Sequence, residues 1–185
     1  MEYIEMLEQL RNNGPDTWQQ LPKIKLIISQ LIEMIDEQHP GSSFFNEEKY
    51  KSSMVNHFAK KGIVPRAQGK KYGKEHIAIN TACAMFKQVL TLENMIPLIK
   101  NCAGDGKEVL DHKIKAFYEE FLEISTREKE EILCKLDSPG VKNEKDVQAI
   151  ANTAMECAIK SYMNQLACKM LIEQLSEISG DGKGK

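Results

Sequence analysis

The residues best suited to chemistry in this chain are cations gathered in one short stretch. Residues 49–76 contain eight Lys or Arg and a single acid, Glu75, which gives the stretch a net charge of +7. The whole chain has a net charge of −2, so the remaining residues together carry −9. A basic patch on an otherwise acidic protein is typical of a surface that binds a polyanion. A solvated lysine-rich surface has the same charge, so the placement of the cations must decide.

The cations follow the order helix, turn, polar loop and second helix. Residues 54–61 are expected to form a helix that ends at Gly62. The polar segment 66–73 has the composition of a small β-hairpin with Gly69 at its tip, and another helix is expected to begin near Lys74. This order predicts a winged helix-turn-helix.

These parts suit DNA because a major groove admits one helix, while the phosphates on either side of it attract cations. The amide of Asn56 has the geometry that pairs with adenine, and the lysines can neutralise several phosphates. The candidate DNA-binding residues are Ser53, Asn56, His57, Lys60, Lys61, Arg66, Lys70, Lys71, Tyr72 and Lys74. Tyr72 and His76 could have structural roles instead of binding DNA. Tyr72 can pack the loop onto the core, and His76 can cap its helix or pack against it.

The same stretch resembles the MerR-type regulators. Residues 53–65, SMVNHFAKKGIVP, are similar to the recognition helix and Gly-Leu-Ile turn of that family, and residues 71–77, KYGKEHI, are similar to its Arg-Tyr wing and the helix that follows. The resemblance implies that His57 and Lys71 are phosphate contacts. It also implies a core role for Phe58, which stands where those regulators have a Tyr.

The layout is also similar to a bacterial family labelled domain of unknown function 1836. Its Ser-Met-Val/Ile-Asn-Asn motif corresponds to residues 53–56 here, and its Lys-Lys-Tyr-x-x-Glu-His motif corresponds to residues 70–76. The resemblance covers about residues 50–100.

The rest of the chain has the periodicity of helices, including predicted helices over 109–124 and 126–136 and a long one over 145–178. We therefore expect an all-α protein with a small β-hairpin wing, a MerR-like winged helix-turn-helix followed by a helical C-terminal region. Its expected parts are an N-terminal helical arm over 1–19, a DNA-binding domain over 20–102, a helical effector or dimerisation region over 103–179, and a disordered tail over 180–185.

The long last helix has an apolar seam, and DNA half-sites one turn apart match a two-fold dimer. We therefore expect a homodimer that pairs through this helix. A small-molecule effector could occupy a pocket around Phe117, Phe121 and Tyr162, although aromatic residues at helical spacing are more often core.

Other classes of function find little support in the sequence. The five cysteines form no C-x-x-C pair, and neither they nor the four histidines have ligand spacing, so we expect no metal and no cofactor. No catalytic motif is present, and the acidic pairs lie beside cations, so we expect no enzyme. No stretch has the composition of a membrane span or a secretory signal, so we expect a cytoplasmic protein.

The sequence thus favours a sequence-specific transcriptional regulator that binds double-stranded DNA. The alternative is a helical protein-interaction module that keeps the winged scaffold and uses its basic patch on an acidic partner. A third hypothesis is an architectural or excisionase-like protein that bends DNA without a ligand response.

Overall fold

The structure is a computed structural model that describes residues 3–12, 14–38, 49–104, 111–143 and 145–179. Eight helices occur in these ranges, and no strand does, so the all-α expectation is confirmed. The helices are α1 Tyr3–Asn12, α2 Ile28–Gln38, α3 Ser52–Lys60, α4 Lys74–Phe86, α5 Leu92–Ala103, α6 Asp111–Leu136, α7 Pro139–Lys142 and α8 Val147–Ile178.

The chain divides into two compact units. One unit is Asn12–Ile124, and the other combines Met1–Arg11 with Ser125–Lys185. The four-part division expected from the sequence stays a prediction, and the tail over 180–185 lies outside the described residues.

Helix α4 forms the centre of the Asn12–Ile124 unit. Every side chain from His76 to Ala84 is at most 4% exposed. The helix combines large apolar residues with alanines, and a helix that is apolar on all sides is stable only when others surround it. Helix α4 packs against α2 and α5, and α3 packs against α2.

The polar side chains of α4 form hydrogen bonds inside the core. Asn80 donates through Nδ2 to the carbonyl of His76 at 2.7 Å and accepts the hydroxyl of Tyr50 at Oδ1, at 2.8 Å. Burial, followed by the nearby Cys83, holds the pKa of Tyr50 well above its ordinary value. Tyr50 therefore stays a protonated donor, and this bond ties the segment before α3 to the central helix.

The expected β-hairpin wing is wrong. The loop over 66–73 contains one tight turn, in which the Lys71 amide donates to the Gln68 carbonyl at 3.1 Å. No ladder extends from this bridge, because the next residue pairs elsewhere: Tyr72 exchanges two backbone hydrogen bonds with Leu26, at 2.8 and 2.9 Å. We call residues 66–73 the basic loop.

The second unit contains α1, the last part of α6, α7 and α8. The hydroxyl of Tyr3 donates to the carbonyl of Leu136 at 2.8 Å, and Asp137 forms ion pairs with Arg11 and with Lys142. Asp146 caps α8 by accepting the amide of Ala149 at 3.0 Å. The long helix expected over 145–178 is therefore confirmed at Val147–Ile178.

The two helices expected over 109–124 and 126–136 are a single helix, α6, and residues 109 and 110 lie outside the described residues. The sequence prediction placed a break at Ser125. Gly and Pro, the residues that most often end a helix, are both missing from the sequence between Asp111 and Leu136, so the helix continues through Ser125.

Tyr50→Phe is expected to lower the free energy of unfolding by about 1–3 kcal/mol, because Asn80 Oδ1 loses its buried donor. Urea denaturation measures the change. The control is Thr126→Val, which removes a hydroxyl from an exposed side chain outside both proposed surfaces and should change stability by less than about 0.5 kcal/mol. Equal effects of the two substitutions would contradict the role of the Tyr50–Asn80 bond.

Candidate nucleic-acid interface

Helix α3 has two faces of different chemistry. Val55 and Phe58 are buried, and they fix the helix on the body of its unit. The candidate residues on α3 lie on the opposite side, at spacings of three and four that bring them onto one exposed face: Ser53, Asn56, His57 and Lys60. Lys61, also exposed, follows the last turn of the helix. Four of the candidates thus share one polar, basic surface, which we call the α3 face.

Gly62 ends this helix with a φ of 73°. Its amide donates to the carbonyl of Ala59, and the amide of Ile63 donates to Phe58, so the exit from α3 is closed by backbone bonds. Ile63, Val64 and Pro65 are buried and lead directly into the basic loop. The α3 face and the basic loop are therefore joined by a short segment that is anchored in the core.

The basic loop is held at both of its ends by one buried side chain, His76. Its Nε2 lies 3.4 Å from the Arg66 carbonyl, and its Nδ1 lies 3.1 Å from the Gly73 amide. Nδ1 also lies 3.0 Å from Glu75 Oε1, so this nitrogen either accepts from Gly73 or, when protonated, donates to Glu75. The hydrogen bond with His76 lowers the pKa of Glu75. His76 therefore caps its helix and packs, the structural role that the sequence indicated.

Two of the predicted DNA-binding residues are engaged in the structure. Tyr72 is buried, and its ring contacts His76 edge-on at 5.5 Å, so it plugs the loop onto the core. Lys74 donates to the Trp18 carbonyl at 2.7 Å and lies over the Trp18 ring at 5.8 Å. These two residues position the loop, whereas Arg66, Lys70 and Lys71 are exposed on it.

The fold adds a cation that the sequence prediction did not include. Pairing of Leu26 with Tyr72 brings Lys25 next to the basic loop, where its Nζ lies 3.3 Å from Gln68 Oε1. Lys23 is also exposed in this segment. No periodic signal marks this segment in the sequence, since Lys23, Ile24 and Lys25 are all exposed. The sequence also does not reveal the partner of Leu26, because an isolated backbone pair forms between residues far apart in the chain.

An acid lies beside the α3 face. The pKa of Glu93 at the start of α5 is lowered, first by hydrogen bonds from its own amide and from Thr91, and then by the charges of Lys61 and His57. Thr91 is the N-cap of α5 and accepts the Asn94 amide. The cations at the end of α3 therefore face a carboxylate as well as solvent.

The tip of the basic loop has an unusual backbone. Gly69 and Lys70 have φ values of 60° and 61°, the signature of a type I′ turn. Lys70 is the one residue other than glycine, among the described residues, with a positive φ. A side chain in this region costs free energy, so Lys70 makes the turn less stable than a glycine at the same position would.

No group of three or more His, Cys, Asp or Glu side chains in the described part of the chain is placed to hold a metal ion. No helix within the described ranges is both long enough and apolar enough to cross a membrane. Of the aromatics considered for an effector pocket, Phe121 packs against Phe86 and Tyr118, and Tyr162 lies exposed in the other unit.

A family model described as a domain of unknown function, DUF1836, matches residues 16–121. The chain belongs to this family. The match covers more than half of the chain and includes α3, the basic loop and α4, which confirms the resemblance found in the motifs at 53–56 and 70–76. No curated protein and no solved structure was found to match the chain.

Lys70→Gly is expected to raise the free energy of unfolding by about 0.5–1 kcal/mol, because glycine adopts a positive φ without strain. Lys71→Gly, the matched control, removes the same charge at a position of ordinary φ and should lower stability by a similar amount. Chemical denaturation of both variants measures the difference. A destabilised Lys70→Gly variant would show that the turn is not strained at this residue.

Proposed function

We propose that the chain is a sequence-specific DNA-binding transcriptional regulator of MerR-like helix-turn-helix type. In this proposal α3 enters the major groove and the basic loop binds phosphates beside it. The observation that carries the proposal is the α3 face, on which Ser53, Asn56, His57 and Lys60 are all exposed opposite the buried Val55 and Phe58. A recognition helix needs this division, because one side must stay packed while the other contacts bases.

The roles of the residues follow from their chemistry. The amide of Asn56 offers a donor and an acceptor to an adenine edge, and the Ser53 hydroxyl bonds to a base or a phosphate. Lys60 and Lys61 at the end of α3 neutralise phosphates on one side of the groove. The cations of the basic loop neutralise phosphates on the other: Arg66, Lys70, Lys71 and, from the neighbouring segment, Lys25.

Tyr72 and Lys74 act through position rather than contact. Tyr72 is buried and paired with Leu26, and Lys74 is bonded to Trp18, so both hold the loop in place. Strain at Lys70 supports a binding role for the loop, since strained backbone persists where function requires it. In the proposal, the protein is a cytoplasmic homodimer that pairs through its C-terminal helix and presents two α3 faces to two half-sites. The proposal is compatible with a small-molecule effector and does not require one.

A second candidate function is a protein-interaction module that applies the α3 face to an acidic partner. The charge of Glu93, which interacts with Lys61 and His57, favours it, because this carboxylate offsets part of the positive potential that a continuous phosphate backbone needs, whereas a protein can place a neutral group there. Charge reversal at Lys60 and Lys71 distinguishes the two. The regulator loses DNA, whereas the module loses a protein in a pull-down while never having bound DNA.

Lys60→Gln combined with Lys71→Gln is expected to reduce the slope of log K against log salt by about 1.8 on duplex DNA, since each phosphate contact contributes about 0.9. Fluorescence anisotropy over a salt series measures the slope. The control is Lys113→Gln combined with Lys169→Gln, which removes two exposed lysines elsewhere and leaves the slope unchanged. A flat salt dependence of the unmodified protein, or an equal loss in both pairs, would refute the proposal.

A further inference from the structure

Helix α8 has two apolar faces, and its own unit covers one of them. The covered face contains the buried Ile172 and the half-buried Cys157, Cys168 and Leu175. Ion pairs to α6 lie on one flank of the helix, between its two apolar faces, from Glu156 to Lys135 at 2.9 Å and from Lys160 to Glu131 at 3.5 Å. Tyr162, Leu166 and Met170 lie on the other face.

The second face is a stripe of large apolar side chains on the other side of α8. At about 100° per residue, its members fall within a wedge of about 100°, and no charged residue between the ends of the stripe enters that wedge. Their exposure ranges from 38% to 69%. We call this set the α8 stripe: Met155, Ile159, Tyr162, Met163, Leu166 and Met170. An apolar patch of this size on a polar chain marks an interaction surface.

The α8 stripe is symmetric about the midpoint between Tyr162 and Met163. Met155 and Met170 lie equally far from that midpoint, and so do Ile159 and Leu166. A two-fold interface has to be self-complementary. Each residue on one side of the axis in one copy contacts, in the other copy, the residue at the same distance on the other side of the midpoint. In an antiparallel pair of α8 helices, methionine therefore meets methionine and isoleucine meets leucine.

The polar residues beyond the stripe follow the same symmetry. Asn152 and Glu173 are equidistant from the midpoint, and so are Gln148 and Glu177. All four lie within the same wedge of the helix, so an antiparallel pair places amide donors opposite carboxylates. A parallel pair would place each carboxylate opposite its own copy, which is repulsive. Polar complementarity thus selects the antiparallel arrangement.

The size of the stripe is sufficient for a dimer. Its length from Met155 to Met170 is about 22 Å at 1.5 Å per residue. Six such side chains expose on the order of 600 Å² per chain, so pairing would bury on the order of 1,200 Å² in total, the lower bound of specific interfaces.

We propose that the α8 stripe binds a second copy of this chain, with the two helices antiparallel and the two-fold axis between Tyr162 and Met163. The proposal specifies the geometry of the dimer and does not depend on DNA binding, because dimerisation is measured without DNA. Its failure would leave the α3 face untouched.

Sedimentation equilibrium of the full chain tests the proposal, and a dimer is expected. Met163→Lys should raise the dissociation constant of the dimer at least about tenfold, because the two introduced charges meet near the axis. The control is Asn164→Lys, which adds the same charge to an exposed side chain outside the α8 stripe and leaves the dimer unchanged. Circular dichroism checks that each variant keeps its helices, and Met163→Gln, which should also weaken the dimer, replaces Met163→Lys if that variant does not fold.

The direction of the helices is tested by a charge pair. Met155→Lys and Met170→Glu should each weaken the dimer, whereas the chain that carries both should dimerise at least about tenfold more tightly than either single variant. Only an antiparallel pair places the introduced lysine opposite the introduced carboxylate. A double variant weaker than the single ones would overturn the antiparallel arrangement. A monomeric full chain, or a dimer indifferent to Met163→Lys, would overturn the proposal and assign the stripe to another occupant, such as a different protein.

Discussion

The structure of the Asn12–Ile124 unit depends on the burial of α4 together with its polar side chains. A core helix that carries His76 and Asn80 can be enclosed only if those groups find partners, because an unsatisfied buried polar group costs free energy. Asn80 finds Tyr50, which fixes the approach to α3, and His76 contacts both ends of the basic loop. The hydrogen bonds that Asn80 and His76 need when they are buried thus also position α3 and the basic loop, the two elements that we propose to bind DNA.

Positioning of this kind explains why exposed lysines can act as a site here. Lysines on a mobile segment supply charge but no fixed positions. The loop that carries the cations is instead held by His76 at both ends and by the Leu26–Tyr72 backbone pair. The α3 face is fixed in turn by Val55 and Phe58. The α3 face and the α8 stripe lie in separate units, so the proposal for one surface does not depend on the proposal for the other.

Periodic patterns in the sequence predicted the helices well, as the long α8 shows, because burial of one face leaves a repeating signature. The family motifs also located α3 and the basic loop. The hairpin was wrong because its strands depended on a partner: composition indicated a turn at Gly69, but Tyr72 pairs with Leu26, a residue distant in sequence. The participation of Lys25 was hidden for the same reason. The division of α8 into two faces required knowing which side its own unit covers.

The central claim is that the α3 face and the basic loop form one surface for duplex DNA. The most direct measurement is a titration of the isotope-labelled protein with duplexes from a random selection, followed by amide chemical shifts. The account predicts that the largest changes fall on residues 53–61 and 66–71, with the amides of the buried α4 changing little. Unchanged shifts in these segments, or changes confined to other surfaces, would contradict it.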